Sequence, residues 1–153
     1  MANSYTQIYI QYVFTVKGRE NFLPSQHNEE LQKYIRGIVE KRKSILVAIN
    51  NTPDHMHILI SLNPNRSISK LIQEIKSISS KFINDNKWIK GKFQWQRGYG
   101  AFSYSKSQIE NVKKYIEEQQ RHHQNRTFRE EFMDFLEKFR IEYEDKYLFE
   151  FYD

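Results

Sequence analysis

Apolar and polar side chains alternate from Ser4 to Val16, with Ile8, Ile10, Tyr12, Phe14 and Val16 on one side. A period of two predicts a strand with one buried face. After Pro24–Ser25 the period changes. Leu31, Tyr34, Ile35, Ile38 and Val39 fall on one helical stripe. Ile45–Ile49 reads as a short buried strand, Asn50–Asp54 as a turn, and His55–Leu62 as another strand that Asn63–Pro64–Asn65 breaks. Ser67 is placed to cap a second helix with Leu71, Ile72, Ile75, Ile78 and Phe82 inside. Gly91 ends that region, and Phe93–Trp95 is the expected fourth strand, followed by an irregular Arg97–Gly100 stretch. Ser105 with Gln108, and Thr127 with Glu130, have capping-box spacing. They open a third helix and a last helix whose inward face is Phe128, Phe132, Phe135, Leu136 and Phe139. The order β-α-β-β-α-β followed by two helices is that of an α+β, ferredoxin-like antiparallel sheet. Helices on one face of such a sheet would leave the other face free to work. The 153 residues suit one domain, with 105–153 as its C-terminal helical part.

Composition narrows the chemistry. The absence of cysteine excludes disulfides, thiolate zinc sites and cysteine nucleophiles. With no apolar run near the ~18 residues that span a membrane, and no signal-like start, the expected setting is the cytoplasm, without a membrane partner. The net charge of +5 is unevenly spread. Residues 126–153 carry five basic against nine acidic side chains, so the positive excess lies before them. Between Arg66 and Arg97, eight basic residues face only Glu74 and Asp85. A polyanion would meet this segment, although a solvated lysine-rich helix face has the same composition.

Three features carry chemistry. His55 and His57 flank Met56 at the start of a strand. Alternate side chains share a face, so the two imidazoles project together about 6–7 Å apart along the backbone. They can share a divalent cation, or they can be a plain surface pair. Tyr115 and Gln119 stand four apart in a helical segment, which brings a hydroxyl and an amide toward one spot; a boundary tyrosine with a polar neighbour has the same spacing. The FQWQRGYGAFSYS stretch interleaves aromatics with amides and an arginine, which suits stacking on unpaired bases or filling a core. Gly98 and Gly100 read as turn glycines. His122–His123 could add a ligand or could finish a helix.

The HMH pair, the FQWQRGYGAFSYS stretch and the VKKYIEEQQRHH helix, in that order, resemble the single-tyrosine HUH transposases of the insertion-sequence two-hundred / six-oh-five group. The likeness runs from about residue 5 to residue 123. It implies a DNA transposase acting on single-stranded DNA. Tyr115 would be the nucleophile, forming a 5′-phosphotyrosine, and His55, His57 and Gln119 would hold one divalent cation per site. Two imidazole nitrogens and an amide oxygen make an unusual magnesium site, and manganese would suit it at least as well, because imidazole favours later metals. Phosphate contacts to DNA hairpins are expected from Arg66, Lys70, Lys76, Lys81, Lys87, Lys90, Lys92 and Arg97. The resemblance further implies a homodimer whose active sites are shared between subunits, with no nucleotide cofactor. Two other readings stay open: a hairpin-binding protein without strand transfer, and a metal phosphodiesterase using water. No general base is evident.

Overall fold

The computed structural model describes residues 4–152. Its centre is a four-stranded antiparallel sheet of β1 (Tyr9–Thr15), β2 (Ile45–Asn51), β3 (His55–Ser61) and β4 (Gly100–Tyr104), in the spatial order β2-β3-β1-β4. One face packs against α1 (Asn28–Lys41) and α2 (Ile68–Asp85). The alternation in β1 does what its period dictates. Ile10, Tyr12 and Phe14 enter this core, with Leu31, Ile35, Leu71, Ile72 and Ile75 from the helices. Ser67 caps α2, its hydroxyl accepting from the Lys70 amide at 3.0 Å. α1 begins later than Pro24–Ser25, after a single tight turn at Ser25–His27.

The face expected to be open is covered. The helices α3 (Ile109–Glu117), α4 (Gln119–His122) and α5 (Phe128–Lys138) lie over it. Two apolar patches anchor them. Phe128, Phe132 and Leu136 of α5 meet Val13, Phe102 and Phe149, while Ile109 and Ile116 of α3 meet Ala48 and Leu59. Four phenylalanines, Phe128, Phe132 and Phe135 of α5 and Phe102 of β4, supply much of that apolar area, and aromatic rings bury more surface per residue than most side chains. Both capping boxes form: the Ser105 amide donates to Gln108 Oε1 at 2.8 Å, and the Thr127 amide to Glu130 Oε1 at 3.0 Å.

The fourth strand is Gly100–Tyr104, not Phe93–Trp95. The earlier run makes only an isolated bridge, Val16 to Trp95. Its polar groups are claimed by α2. Asn84 Oδ1 accepts from the Phe93 amide at 2.7 Å, Ser80 donates to the Phe93 carbonyl, and the Trp95 indole donates to Ser79 Oγ. Gly98, at φ 84, then turns the chain into β4.

One irregularity positions the site. Between Leu46 and Ala48 the β2–β3 register shifts by a residue, a β-bulge. Leu46 faces the α1/α2 core, whereas Ala48 faces α3. Without the bulge the two would share a face. The same shift sets Asn50 opposite His57.

Candidate active site

His55 and His57 stand on β3 opposite Thr15 and Val13 of β1, and both are fully buried under the C-terminal helices. Their ring centroids are 5.3 Å apart. Each ring is fixed through Nδ1. His57 Nδ1 lies 2.7 Å from Gln11 Oε1, and the Gln11 amide nitrogen donates to Tyr104 Oη at 2.6 Å. His55 Nδ1 lies 2.7 Å from Asp54 Oδ1 and 2.7 Å from Thr52 Oγ1. The turn before β3 thus supplies the orienting carboxylate. With both Nδ1 atoms so partnered, both Nε2 atoms face one interior point, the arrangement in which outer partners set a metal-ligating histidine.

Gln119 and Tyr115 reach the same point from above. Their helix is not continuous. It breaks at Glu118 (φ -101, ψ 20), leaving Tyr115 in α3 and Gln119 as the first residue of α4. Asn50 holds the break, its amide nitrogen donating to the carbonyls of Ile116 at 3.0 Å and Glu117 at 3.1 Å. Gln120 closes the contact by donating to Asn50 Oδ1 at 2.8 Å. Gln119 is fully buried, with Oε1 3.2 Å from His55 Nε2. The Tyr115 ring lies 6.3 Å from that of His57 and stacks on His122 at 4.4 Å. Histidines, glutamine and tyrosine therefore meet within one chain. Assembling the four groups does not call on a second copy.

A residue absent from the sequence reading occupies the centre. Glu131 of α5 is fully buried, with Oε1 3.0 Å from His57 Nε2, 3.5 Å from His55 Nε2 and 3.0 Å from His123 Nε2. Its Oε2 accepts from Gln119 Nε2 at 3.0 Å and from the Tyr115 hydroxyl in a short hydrogen bond. Arg126 donates to the same hydroxyl at 2.8 Å. A signal was present: Glu131 lies three residues after Phe128 and four before Phe135, on the apolar stripe of the helix. A carboxylate there is buried by construction, and a buried carboxylate needs positive partners.

The electrostatics follow from that burial. Burial alone would favour neutral His55, but hydrogen bonds and charge from Asp54 and Glu131 outweigh it and push the imidazole up to about 9. Burial holds His57 below the usual histidine range. Burial also opposes ionisation of Glu131, yet His57, His123 and His55 keep it far below the usual carboxylate range. Tyr115 moves the other way. Burial first, and then the Glu131 charge, raise its hydroxyl well above the ordinary tyrosine range, with Arg126 opposing.

His55, His57 and Glu131 each offer an atom within 4.8 Å of the others. Donor pairs at 3.0, 3.2 and 3.5 Å match the edges of a shell with bonds of ~2.1 Å, where neighbours lie ~3.0 Å apart in an octahedron and ~3.4 Å in a tetrahedron. The set fits a divalent cation. Two clefts reach the site, one lined by Thr52, Asp54, His123 and Arg126, the other by Gln11, Tyr104, Tyr115 and Arg126.

The basic segment is less uniform than its composition suggests. Lys76 is turned inward, its Nζ donating to the carbonyls of Gln96 and Gly98 at 2.7 Å each. Arg66 lies 3.6 Å from Glu74, and Lys81 pairs with Asp85 at 2.7 Å. Lys70, Lys87, Lys90, Lys92 and Arg97 are exposed.

The fold and site define an α+β protein whose ferredoxin-order sheet carries a buried histidine pair beneath a tyrosine-bearing helix, and comparison with known proteins gives the family. The family model described as "Transposase IS200 like" matches residues 4–119, and the chain belongs to that family. The ISDra2 transposase TnpA of Deinococcus radiodurans is 23% identical over 120 residues, covering 74% of this chain and 84% of the relative. A crystal structure of a transposase from the same organism superposes with a TM-score of 0.60 at 21% identity, covering 78% of this chain and 95% of that one. The structure of a REP-associated tyrosine transposase bound to a REP hairpin also gives 0.60, at 17% identity, covering 80% and 73%. α5 and Glu131 lie beyond the family match. Among the described residues no helix is long and apolar enough to cross a membrane.

Proposed function

We propose that this transposase cuts and rejoins single-stranded DNA at hairpin-bearing ends, with Tyr115 as nucleophile and His55, His57 and Gln119 as holders of one divalent cation, Mg2+ or Mn2+. The observation that carries the reading is the convergence of the Tyr115 hydroxyl, two imidazole Nε2 atoms and Gln119 Oε1 on one buried spot between β3 and the C-terminal helices. A cation bound there would withdraw charge from a phosphate and orient it for attack.

The chain's own groups do the rest. Gln11 and Asp54 hold the imidazoles at fixed tilt. Arg126, 2.8 Å from the hydroxyl, offers positive charge where tyrosinate character develops, which matters because a buried tyrosine is a poor nucleophile. The Tyr115 oxygen bonds to phosphorus, the 3′-oxygen leaves and takes a proton, and a 5′-phosphotyrosine remains. A later 3′-OH attacks that ester, re-forms the DNA linkage and returns the hydroxyl to Tyr115. The number of phosphoester bonds is constant, so no nucleotide cofactor enters. Hairpin binding as a partner reading draws support from the exposed Lys70, Lys87, Lys90, Lys92 and Arg97 and from the hairpin held by the REP-associated relative. A homodimer that exchanges tyrosine helices would be a second use of the same parts.

The test mixes protein, labelled single-stranded hairpin DNA from its own locus, and Mg2+ or Mn2+, with a denaturing gel as readout. A metal-dependent protein–DNA band, lost in Tyr115→Phe and His57→Ala, is expected. A native-gel shift with no covalent band would favour a binding protein. Cut DNA with an active Tyr115→Phe would favour a phosphodiesterase that uses water.

A further inference from the structure

We infer that Glu131 is itself a ligand of the cation, through Oε1, and that α5 therefore completes the metal site from outside the segment shared with the family. The inference deepens the metal reading above and rests on it.

Hydrogen-bond roles carry the argument. An imidazole that ligates a metal through Nε2 keeps its one N–H on Nδ1. Gln11 Oε1 faces His57 Nδ1 and Asp54 Oδ1 faces His55 Nδ1, so with a metal bound both Nε2 atoms are acceptors. Gln119 Oε1 and Glu131 Oε1 are acceptors as well. Gln119 is committed to this orientation, because its nitrogen donates to Glu131 Oε2. Four candidate ligand atoms thus converge among fully buried side chains, with neighbouring pairs at 3.0, 3.2 and 3.5 Å. Such a set needs something positive inside it, either a proton on an imidazole or the cation that replaces it.

Charge points the same way. Two imidazoles and an amide are a neutral donor set, and a doubly charged ion among fully buried groups is strongly disfavoured without a negative partner. Among the described residues Glu131 is the one carboxylate facing the Nε2 side; Asp54 lies behind His55, at Nδ1. The remaining oxygen, Oε2, takes the Tyr115 hydrogen bond, so one carboxylate links the cation position to the nucleophile.

The test needs no DNA. Mn2+ binding to the full chain is titrated by electron paramagnetic resonance for wild type, His57→Ala, Glu131→Gln and Glu131→Asp, with chelator-treated melting curves as folding controls. The expected result is weaker binding in both Glu131 variants by at least about tenfold, the low end of what even an outer partner of a ligand costs. Unchanged or tighter binding in Glu131→Gln, with His57→Ala still impaired, overturns the inference and makes the carboxylate a plug that the cation displaces, while the metal reading stands. Binding indifferent to His57→Ala defeats the metal reading itself. A wild-type crystal soaked in Mn2+ decides the matter without variants. An anomalous peak bonded to Glu131 supports the inference, and a peak on His55 and His57 with Glu131 swung away overturns it.

Discussion

Tyr115 donates its hydroxyl hydrogen to Glu131, across the gap between a helix inside the family match and one beyond it. The contact joins the proposed nucleophile to the charge that organises three imidazoles. Removing the hydroxyl should leave the scaffold in place, because Glu131 Oε2 still receives Gln119. Tyr115→Phe is expected to change unfolding free energy by no more than about 3 kcal/mol, the upper end for a hydrogen bond to a charged group. Covalent capture of DNA should fall to background in the same variant. Urea unfolding beside a gel assay checks both halves.

Buried charge gives a second prediction. In metal-free protein the imidazole held charged is His55, so His55→Ala leaves Glu131 short of a positive partner, and breaking a buried pair from one side costs about 3–5 kcal/mol. Glu131→Gln removes the orphaned charge. The double variant should therefore be less destabilised than the two single losses added together, with a coupling of about 1–3 kcal/mol in a double-mutant cycle. Strict additivity would show that the two groups do not sense each other.

Asn50 tests how the kink is held. Its side chain ties the end of α3 to β2 through two carbonyls and Gln120. Asn50→Ala should cost about 1–3 kcal/mol through unsatisfied buried groups. It should also lower adduct yield while leaving hairpin affinity nearly intact, since no DNA-facing residue is touched. Equal losses of binding and adduct would contradict that division.

Gly100 shows how much of the fold was readable. Sequence reasoning placed it in a turn beside Gly98. In the structure only Gly98 turns; Gly100 lies in β4, where an added Cβ would stand 2.8 Å from Phe132 Cε1 and 3.0 Å from Phe102 Cε2. Gly100→Ala should destabilise by about 1–3 kcal/mol through overpacking, and Phe132→Leu should recover part of the loss. Thermal melts of the single and double variants measure it.

The strands and helices that obey one period were legible: β1, α1, α2 and α5 follow their apolar positions, and the caps at Ser67 and Thr127 are local chemistry. The fourth strand was not, because Phe93 and Trp95 are apolar for packing under α2, where Asn84 and Ser80 take the Phe93 backbone groups and Ser79 takes the Trp95 indole. The continuous Leu46–Ile49 run concealed the bulge that aims Asn50. In the site, His55, His57, Tyr115 and Gln119 stood out by spacing and resemblance. His123, read as a possible further ligand, reaches Glu131; Glu131 itself, Arg126 and Gln11 join through contacts across the fold that no spacing encodes, although a glutamate on an aromatic stripe was a visible anomaly.

The central claim is that Tyr115 becomes covalently attached to DNA. Digestion of the protein–DNA adduct followed by mass spectrometry measures this directly. The account predicts one modified peptide, spanning residues 115–119, with a 5′-linked nucleotide on Tyr115. DNA cleaved in the presence of metal with no modified peptide, or with the nucleotide on another residue, would contradict it.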